Sequence, residues 1–126
     1  MERIKKHSYK RDAILACLRG TRTHPAAEWI YDQLKPRIPD LSLGTVYRNL
    51  AGFRADGTIV SVGTVNGNER YDANTVPHAH FICRHCGSII DLEDIPLTLP
   101  AVQCGAITGC QISYTGVCNR CAENKK

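Results

Sequence analysis

The sequence predicts an α+β fold in which a helical N-terminal half precedes a strand-rich C-terminal half. Hydrophobic residues recur with helical spacing as far as Gly57, and short β-like runs follow. Charge divides the chain in the same way: residues 1–60 contain eleven Lys and Arg against six Asp and Glu, whereas residues 61–126 contain five against six. The basic half suits nucleic acid, although a solvated basic face would explain the charge as well.

The first helix is predicted in the stretch YKRDAILACLRG. Ser8 can cap its N-terminus, and Gly20 ends it. Ile14, Leu15 and Leu18 share one face of this helix and are candidates for the core.

The second helix is predicted in THPAAEWIYDQL. Thr23 or His24 stands at the cap, Pro25 occupies the first helical position, and Pro36 ends the run. The predicted apolar stripe consists of Trp29, Ile30 and Leu34.

The third helix is predicted in LSLGTVYRNLAGFRADG, with Ser42 as its cap and Gly57 at its end. Val46, Leu50 and Phe53 recur at i, i+4 and i+7 and form its buried stripe. The runs TIVSVGTV and NERYD then flank Asn66-Gly67, a pair typical of a tight β-hairpin turn.

Three helices and a hairpin predict a winged helix-turn-helix, with a plain helical bundle and a satellite hairpin as the alternative. In the winged fold the third helix reads DNA. Thr45 and Tyr47 are expected to reach bases or thymine methyls. Lys5 and Lys6 are candidates for phosphate contacts. The full predicted DNA-binding set is Thr45, Tyr47, Arg48, Asn49, Lys10 and Arg11.

The second half is expected to begin after a hinge. We predict a winged-helix domain over residues 1–72, a hinge at 73–77 (ANTVP), and a small α/β domain over 78–126. Strands are expected in HAHFICRHC, GSIIDLED and CQISYTGVC. The stretch between them, residues 94–109, is ambiguous: Pro96 could open a helix, but Pro100 in its interior would cost about 3 kcal/mol.

Two Cys-x-x-Cys pairs predict a structural zinc site. Thirty-one residues separate the pairs, which are formed by Cys83 with Cys86 and Cys118 with Cys121. Two such turns supply the four sulfurs that Zn²⁺ prefers, and the ion would stabilise a domain too small to fold by burial. Redox dithiols are the alternative, but a thioredoxin-like βαβ setting is absent.

His85 and the three cysteines outside the two pairs have ordinary explanations. His85 is expected to be solvated between ligands, and Cys17 to pack in the core. Cys104 and Cys110 are either packing residues or a reactive thiol pair. The latter leaves open a thiol redox protein as a third functional hypothesis.

A second group of metal-binding side chains surrounds the first cysteine pair. His78 and His80 alternate along a predicted strand and so share a face, and Asp91 follows. Asp72 ends the hairpin strand just before the hinge. Imidazole nitrogens with carboxylate oxygens suit Fe²⁺, Mn²⁺ or Zn²⁺. Each residue alone would more often be a surface polar group.

These motifs together resemble the ferric uptake regulator (Fur) family of bacterial metal-dependent repressors. The similarity runs from about Ser8 to Cys121. It is carried by THPAAEWIYDQL, SLGTVYRNL, ERYD, HAHFICRHCG with IIDLED, and YTGVCNRC.

The resemblance implies a homodimer of winged-helix domains joined by hinges to α/β dimerisation domains. It implies a repressor that binds double-stranded DNA at an AT-rich inverted repeat. It places a dimerisation helix between the two cysteine pairs. It also implies a regulatory Fe(II) or Mn(II) beside the structural zinc, with these ligands: His24, Asp72, His78, His80 and Asp91.

Within the family, Asp at positions 72 and 91 resembles the peroxide-sensing, PerR-like branch, since iron-sensing members typically have Glu there. That branch implies that Fe²⁺ and hydrogen peroxide oxidise a ligand histidine, here His24 or His78, and that DNA is then released. The alternative is an iron- or other metal-responsive repressor without peroxide sensing.

Other classes of function are not expected. No set of nucleophile, base and orienting group is evident, so we predict no enzyme. No run approaches the roughly 18 apolar residues of a membrane span, and no signal-peptide core follows the basic start. We therefore expect a cytoplasmic protein without a membrane partner.

Overall fold

The computed structural model describes residues 2–95 and 97–123, except for the side chains of residues 2–8. The chain divides after Thr75 into two compact units. Helices and strands are both present, so the predicted α+β class is confirmed. The first unit contains α1 (Glu2–Arg19), α2 (Ala27–Leu34), α3 (Leu43–Ala55), β1 (Val60–Val65) and β2 (Asn68–Asp72). The second contains β3 (Ala79–Cys83), β4 (Ile89–Leu92), β5 (Ile112–Gly116) and α4 (Asn119–Glu123).

Helix α1 starts earlier than its apolar pattern indicates. It begins at Glu2, so the prediction that Ser8 caps it is wrong. The preceding Glu, Arg and Lys residues are good helix formers and extend the helix without adding apolar periodicity. The predicted face is confirmed: Ile14 and Leu18 are buried, and Leu15 packs against the same core. The helix ends at Arg19, immediately before Gly20.

Helix α2 starts later than predicted. It begins at Ala27 after an extended Ala26 that provides no side-chain cap, so neither His24 nor Pro25 has the predicted position. His24 has a φ of 54°, in the left-handed region, whereas an N-cap residue takes an extended conformation. The stripe also differs, because Ala27 rather than Trp29 lies with Ile30 and Leu34 in the core.

Trp29 is 38% exposed because it precedes Ile30 by one residue and is turned about 100° away from it around the helix.

Helix α3 has the predicted cap and the predicted stripe. The backbone N–H of Thr45 donates to Ser42 Oγ at 3.1 Å, and Ser42 is extended as a cap should be. Val46, Leu50 and Phe53 are buried along one face. Gly57, with a φ of 84°, follows the end of the helix and turns the chain towards β1.

The three helices and the hairpin share one apolar core. The hairpin is antiparallel, and its turn residues Asn66 and Gly67 both have positive φ values, 53° and 85°, as a type I′ turn requires. The core residues are Ile14, Leu18, Ala27, Ile30, Leu34, Ile38, Leu41, Val46, Leu50, Phe53, Ile59 and Tyr71. Burial of each large aliphatic member contributes roughly 1.5–3 kcal/mol. The first unit is therefore stabilised by ordinary hydrophobic burial.

The second unit is a three-stranded sheet with strand order β4-β3-β5. The central strand β3 pairs antiparallel with β4 and parallel with β5. The three predicted strands are confirmed, but the short helix α4 after Cys118 was not predicted. The apolar residues buried in this unit, among those described, are few: Ala79, Cys83, Ile89 and Cys121.

The dimerisation helix implied by the family resemblance is absent from residues 97–111, which form neither helix nor strand. Pro96, the proposed start of such a helix, lies outside the described residues. In a helix, Pro100 would remove a hydrogen bond and clash with the preceding turn, and Gly105 and Gly109 would also disfavour helix formation. Of the described helices, none has the length and apolar character needed to cross a bilayer.

Replacing Ser42 by Ala is expected to lower the free energy of unfolding of the first unit by about 1 kcal/mol, because α3 loses its N-terminal hydrogen bond. Replacing Ser42 by Asp should preserve most of the stability, since Asp is an equally good cap. Urea unfolding followed by the fluorescence of Trp29, the single tryptophan, reports this unit. Equal stability of the Ser and Ala proteins would contradict the capping role.

Candidate functional site

The four cysteines of the two Cys-x-x-Cys pairs form one cluster in the second unit. Their sulfur atoms all lie within 4.8 Å of one another. Two of the separations are 3.8 Å, between Cys83 and Cys121, and 3.9 Å, between Cys86 and Cys118. Four sulfurs around Zn²⁺ at bond lengths of about 2.3 Å would be about 3.8 Å apart in a regular tetrahedron. The spacing therefore fits a zinc ion.

Local backbone geometry brings these sulfurs together. Cys83 ends β3, and the turn after it is closed by the N–H of Gly87, which donates to Cys83 O at 2.9 Å. Gly87 has a φ of 78°, a conformation that residues with a side chain rarely adopt. Strand β5 ends at Gly116, beside this turn, where its carbonyl accepts from the N–H of Arg84. The second cysteine pair follows directly.

Hydrogen bonds prepare the first pair of sulfurs for metal binding. Ser88 Oγ lies 3.0 Å from Cys86 Sγ and lowers the pKa of that thiol to about 5. The N–H of Cys118 donates to Cys83 Sγ at 3.3 Å and lowers the pKa of Cys83. Burial raises the pKa of Cys121 to about 12, and a bound cation would favour its thiolate form. Ser88 was not identified from the sequence, although it stands two residues after a ligand.

The other cysteines and His85 do not join the cluster. His85 is exposed, as predicted. Cys17 packs against the core of the first unit, also as predicted, and burial raises its pKa. Cys104 is exposed in the irregular segment, and Cys110 is partly buried.

A second cluster in the same unit consists of two histidines and an aspartate. His78 precedes β3, His80 lies in it, and Asp91 is the residue of β4 that pairs with His80. Asp91 Oδ1 is 2.9 Å from His78 Nε2 and 3.3 Å from His80 Nε2. His78 Nδ1 lies 2.6 Å from Val76 O, a contact that requires Nδ1 to donate. Nε2 of His78 is therefore the atom presented for a ligand role.

The first unit contains a smaller group, formed by His24 and Asp72. His24 Nε2 is 3.2 Å from Asp72 Oδ2, and both residues are buried. Asp72 ends β2, as predicted, and its Oδ1 accepts from the N–H of Asn74. A buried imidazole against a buried carboxylate is a common half of a metal site, but it is equally a common structural ion pair.

The donor atoms of the two His/Asp groups and of the cysteine cluster fit the metal ions predicted from the sequence. Imidazole nitrogens and carboxylate oxygens are borderline and hard ligands that suit Fe²⁺ or Mn²⁺, whereas the four thiolates suit Zn²⁺. Each predicted ligand is accounted for, either in the cysteine cluster, in the second unit's His/Asp cluster, or in the first unit's pair.

The predicted DNA-reading side chains lie on α3 with different exposures. Tyr47 is 43% exposed, and its hydroxyl donates to Glu28 Oε2 at 2.7 Å, which raises the pKa of Tyr47. Arg48 is exposed and donates to Thr45 Oγ1 at 3.1 Å. The side-chain amide of Asn49 donates to Thr45 O and so is bound to its own helix. Tyr47 and Arg48 are thus the most accessible members of the predicted set on this helix.

Two basic residues predicted to contact phosphate lie on α1. Lys10 Nζ is 3.1 Å from Asp40 Oδ2. This contact lowers the pKa of Asp40. The guanidinium of Arg11 lies over the ring of Phe53, 4.9 Å from its centroid. The side chains of Lys5 and Lys6 are outside the described residues.

Known proteins resemble the chain along almost its full length. Residues 3–113 match the model of the ferric uptake regulator family. The peroxide-responsive repressor PerR of Staphylococcus epidermidis is 33% identical over 119 residues, which cover 90% of this chain and 79% of that protein.

Two solved structures have a similar fold over most of their length. The Campylobacter jejuni peroxide stress regulator matches with a TM-score of 0.76 and 24% identity, over 95% of this chain and 94% of that one. The Helicobacter pylori ferric uptake regulator Fur matches with a TM-score of 0.75 and 22% identity, over 99% and 90%.

Removing the second cysteine pair is expected to abolish tightly bound zinc. The double variant C118S/C121S should lose the zinc that survives treatment with EDTA, and its second unit should unfold at lower urea concentration. The double variant C104S/C110S removes the same number of thiols and should keep one zinc per chain. Zinc content by mass spectrometry of the metal tests both; undiminished zinc in C118S/C121S would exclude the cluster as the site.

Proposed function

Since this chain belongs to the ferric uptake regulator family of metal-responsive repressors, we propose that it represses transcription in a metal-dependent way and senses hydrogen peroxide. The single observation that carries the proposal is the division of the His and Asp ligands: His24 with Asp72 in the first unit, and His78, His80 with Asp91 in the second. A repressor of this kind needs a signal that acts on both of its halves.

The proposed regulatory site takes ligands from both units. An ion that binds all five side chains favours one arrangement of the units over others, because it gains its full coordination only there. If that arrangement is the one that binds DNA, metal affinity and DNA affinity increase together, since the coupling between two sites is reciprocal. Residues 73–77 would then act as the hinge between a DNA-binding domain and a dimerisation domain.

The chemistry of the ligand atoms indicates which metal ion each proposed site would bind. Zn²⁺ would be held by the four cysteines and would have a structural role. Fe²⁺ or Mn²⁺ would be the regulatory ion, because nitrogen and carboxylate ligands suit both. The carbonyl of Val76, which accepts from His78 Nδ1, would orient that imidazole and raise the basicity of its other nitrogen.

Peroxide sensing is supported by the aspartates at positions 72 and 91 and by the similarity to PerR. Fe²⁺, when bound, supplies the redox chemistry that activates hydrogen peroxide. The chain supplies an imidazole carbon, on His24 or His78, that gains one oxygen atom while water is released. An oxidised imidazole is a poorer ligand, so the two units lose their shared ion and DNA is released.

The DNA partner is proposed to be a double-stranded, AT-rich inverted repeat bound by a homodimer. A palindromic site matches the two-fold symmetry of such a dimer. Tyr47 and Arg48 are the proposed base and phosphate contacts of α3, and Lys10 with Arg11 would add phosphate contacts.

An iron-responsive repressor without peroxide sensing is the second candidate. It is supported by the fold similarity to the Helicobacter pylori ferric uptake regulator. The same ligands and the same coupling would apply, but the ligand histidines would not be oxidised.

DNA binding is expected to require the regulatory metal. After EDTA removes labile metal, affinity for an AT-rich inverted repeat should fall at least about tenfold, and Mn²⁺ should restore it, which is a typical coupling strength. D91N should lose the response to Mn²⁺, whereas D94N, the same change at a nearby exposed carboxylate, should keep it. Fluorescence anisotropy measures both. Equal affinity with and without metal would exclude a metal-dependent repressor.

Hydrogen peroxide at micromolar concentration is expected to add one oxygen atom to His24 or His78 in the Fe²⁺ form and not in the Mn²⁺ form. Peptide mass spectrometry measures this, with His85 as an internal control, since it is exposed but outside the proposed ligand set. Modification of His85 to the same extent would indicate non-specific damage. Unmodified His24 and His78 in the Fe²⁺ form would favour the second candidate.

A further inference from the structure

His24 has an unusual backbone conformation for a residue with a side chain. Its φ of 54° lies in the left-handed region, which non-glycine residues occupy mainly where surrounding contacts hold them. His24 is also followed by Pro25, whose ring restricts the conformation of the residue before it. Something outside this short segment must therefore stabilise the conformation.

The stabilising contacts come from β2. The guanidinium of Arg70 donates from Nε to His24 O and from Nη2 to Thr23 O, the latter at 2.8 Å. The neighbouring Tyr71 donates its backbone N–H to Pro25 O at 3.1 Å. Three successive carbonyls of the segment before α2 thus accept hydrogen bonds from two successive residues of one strand.

The same strand also contacts the imidazole of His24. Asp72, two residues after Arg70, places Oδ2 3.2 Å from His24 Nε2. Strand β2 therefore holds the backbone of His24 through Arg70 and faces its ring with Asp72. All of these contacts lie within the first unit.

We propose that Arg70 is a positioning residue for the regulatory metal: it holds His24 in its left-handed conformation, so that the imidazole and Asp72 form a prepared half-site before any ion binds. This role rests on the proposed function, in which His24 and Asp72 are ligands. Arg suits it because two of its donors point the same way in a rigid fork, whereas Lys offers one charged group on a flexible stem.

Replacing Arg70 is expected to change the metal affinity in opposite directions through its charge and through its hydrogen bonds. A guanidinium near a cation site repels the ion, so removing its charge would by itself strengthen metal binding. Removing the two hydrogen bonds would release His24 from its conformation and weaken binding. The direction of the change in metal affinity therefore separates the two contributions.

The test uses the full chain with its cysteine-bound zinc and measures Mn²⁺ binding by calorimetry. R70Q should bind Mn²⁺ at least about tenfold more weakly, the size of effect seen when groups that orient metal ligands are removed. R70K should be intermediate, because it keeps one donor. The matched control is R54Q: Arg54 lies 2.6 Å from Glu69 of the same strand, so this variant removes an equal charge without touching His24.

A metal-free measurement keeps the test independent of the ion. In R70Q the backbone amide of Tyr71 should exchange its hydrogen faster than in the unaltered protein, because the segment carrying Pro25 is no longer held. R54Q should leave this exchange rate unchanged. Zinc content and the urea midpoint of each variant show whether it is folded.

The outcomes are distinguishable. If the unaltered protein binds Mn²⁺ and R70Q binds it equally well or more tightly, the positioning role is overturned while the proposed function stands. If the unaltered protein takes up no second metal, the proposed function fails, and the role of Arg70 towards a metal fails with it. Weaker binding in R70Q with faster Tyr71 exchange and an unchanged R54Q supports the proposal.

Discussion

The position of strand β3 determines both groups of candidate metal ligands in the second unit. Within this strand His80 and Cys83 are three residues apart. Because side chains alternate between the two faces of a strand, an odd separation places them in different clusters. Antiparallel pairing with β4 places Asp91 opposite His80, and parallel pairing with β5 ends beside the turn that carries the first cysteine pair. A shift of register by one residue would move every side chain of the strand to the other face and separate both clusters.

The two units obtain their stability from different sources. The first has a continuous apolar core to which three helices and a hairpin contribute. The second buries few apolar side chains among those described, and two of them, Cys83 and Cys121, belong to the cysteine cluster. A sheet this small cannot offset its conformational entropy by burial alone. In the proposed zinc site, metal ligation by the four sulfurs would take the place of a core and would stabilise the strand that also carries His80.

Local physical chemistry explains which parts of the fold could be predicted. The Ser42 cap, the i, i+4, i+7 stripe of α3 and the Asn66-Gly67 turn depend on neighbouring residues only, and the structure has all of them. The start of α1 has no apolar periodicity to reveal it. Trp29 is apolar and is therefore predicted in the core, but its angular position on α2 lies outside the buried stripe. Residue type is a weaker guide than helical phase.

The candidate sites show the same division between local and distant causes. The cysteine spacing predicts the sulfur cluster because, within each pair, the two residues between the cysteines form a turn. The conformation of His24, by contrast, depends on Arg70, which is 46 residues away in the sequence. From its neighbours alone, Thr-His-Pro looks like the start of a helix. The hydrogen bonds from β2 override that preference and turn the imidazole towards Asp72. A sequence can thus indicate which side chains are candidate metal ligands, while the contacts that orient them become evident only once distant strands are placed.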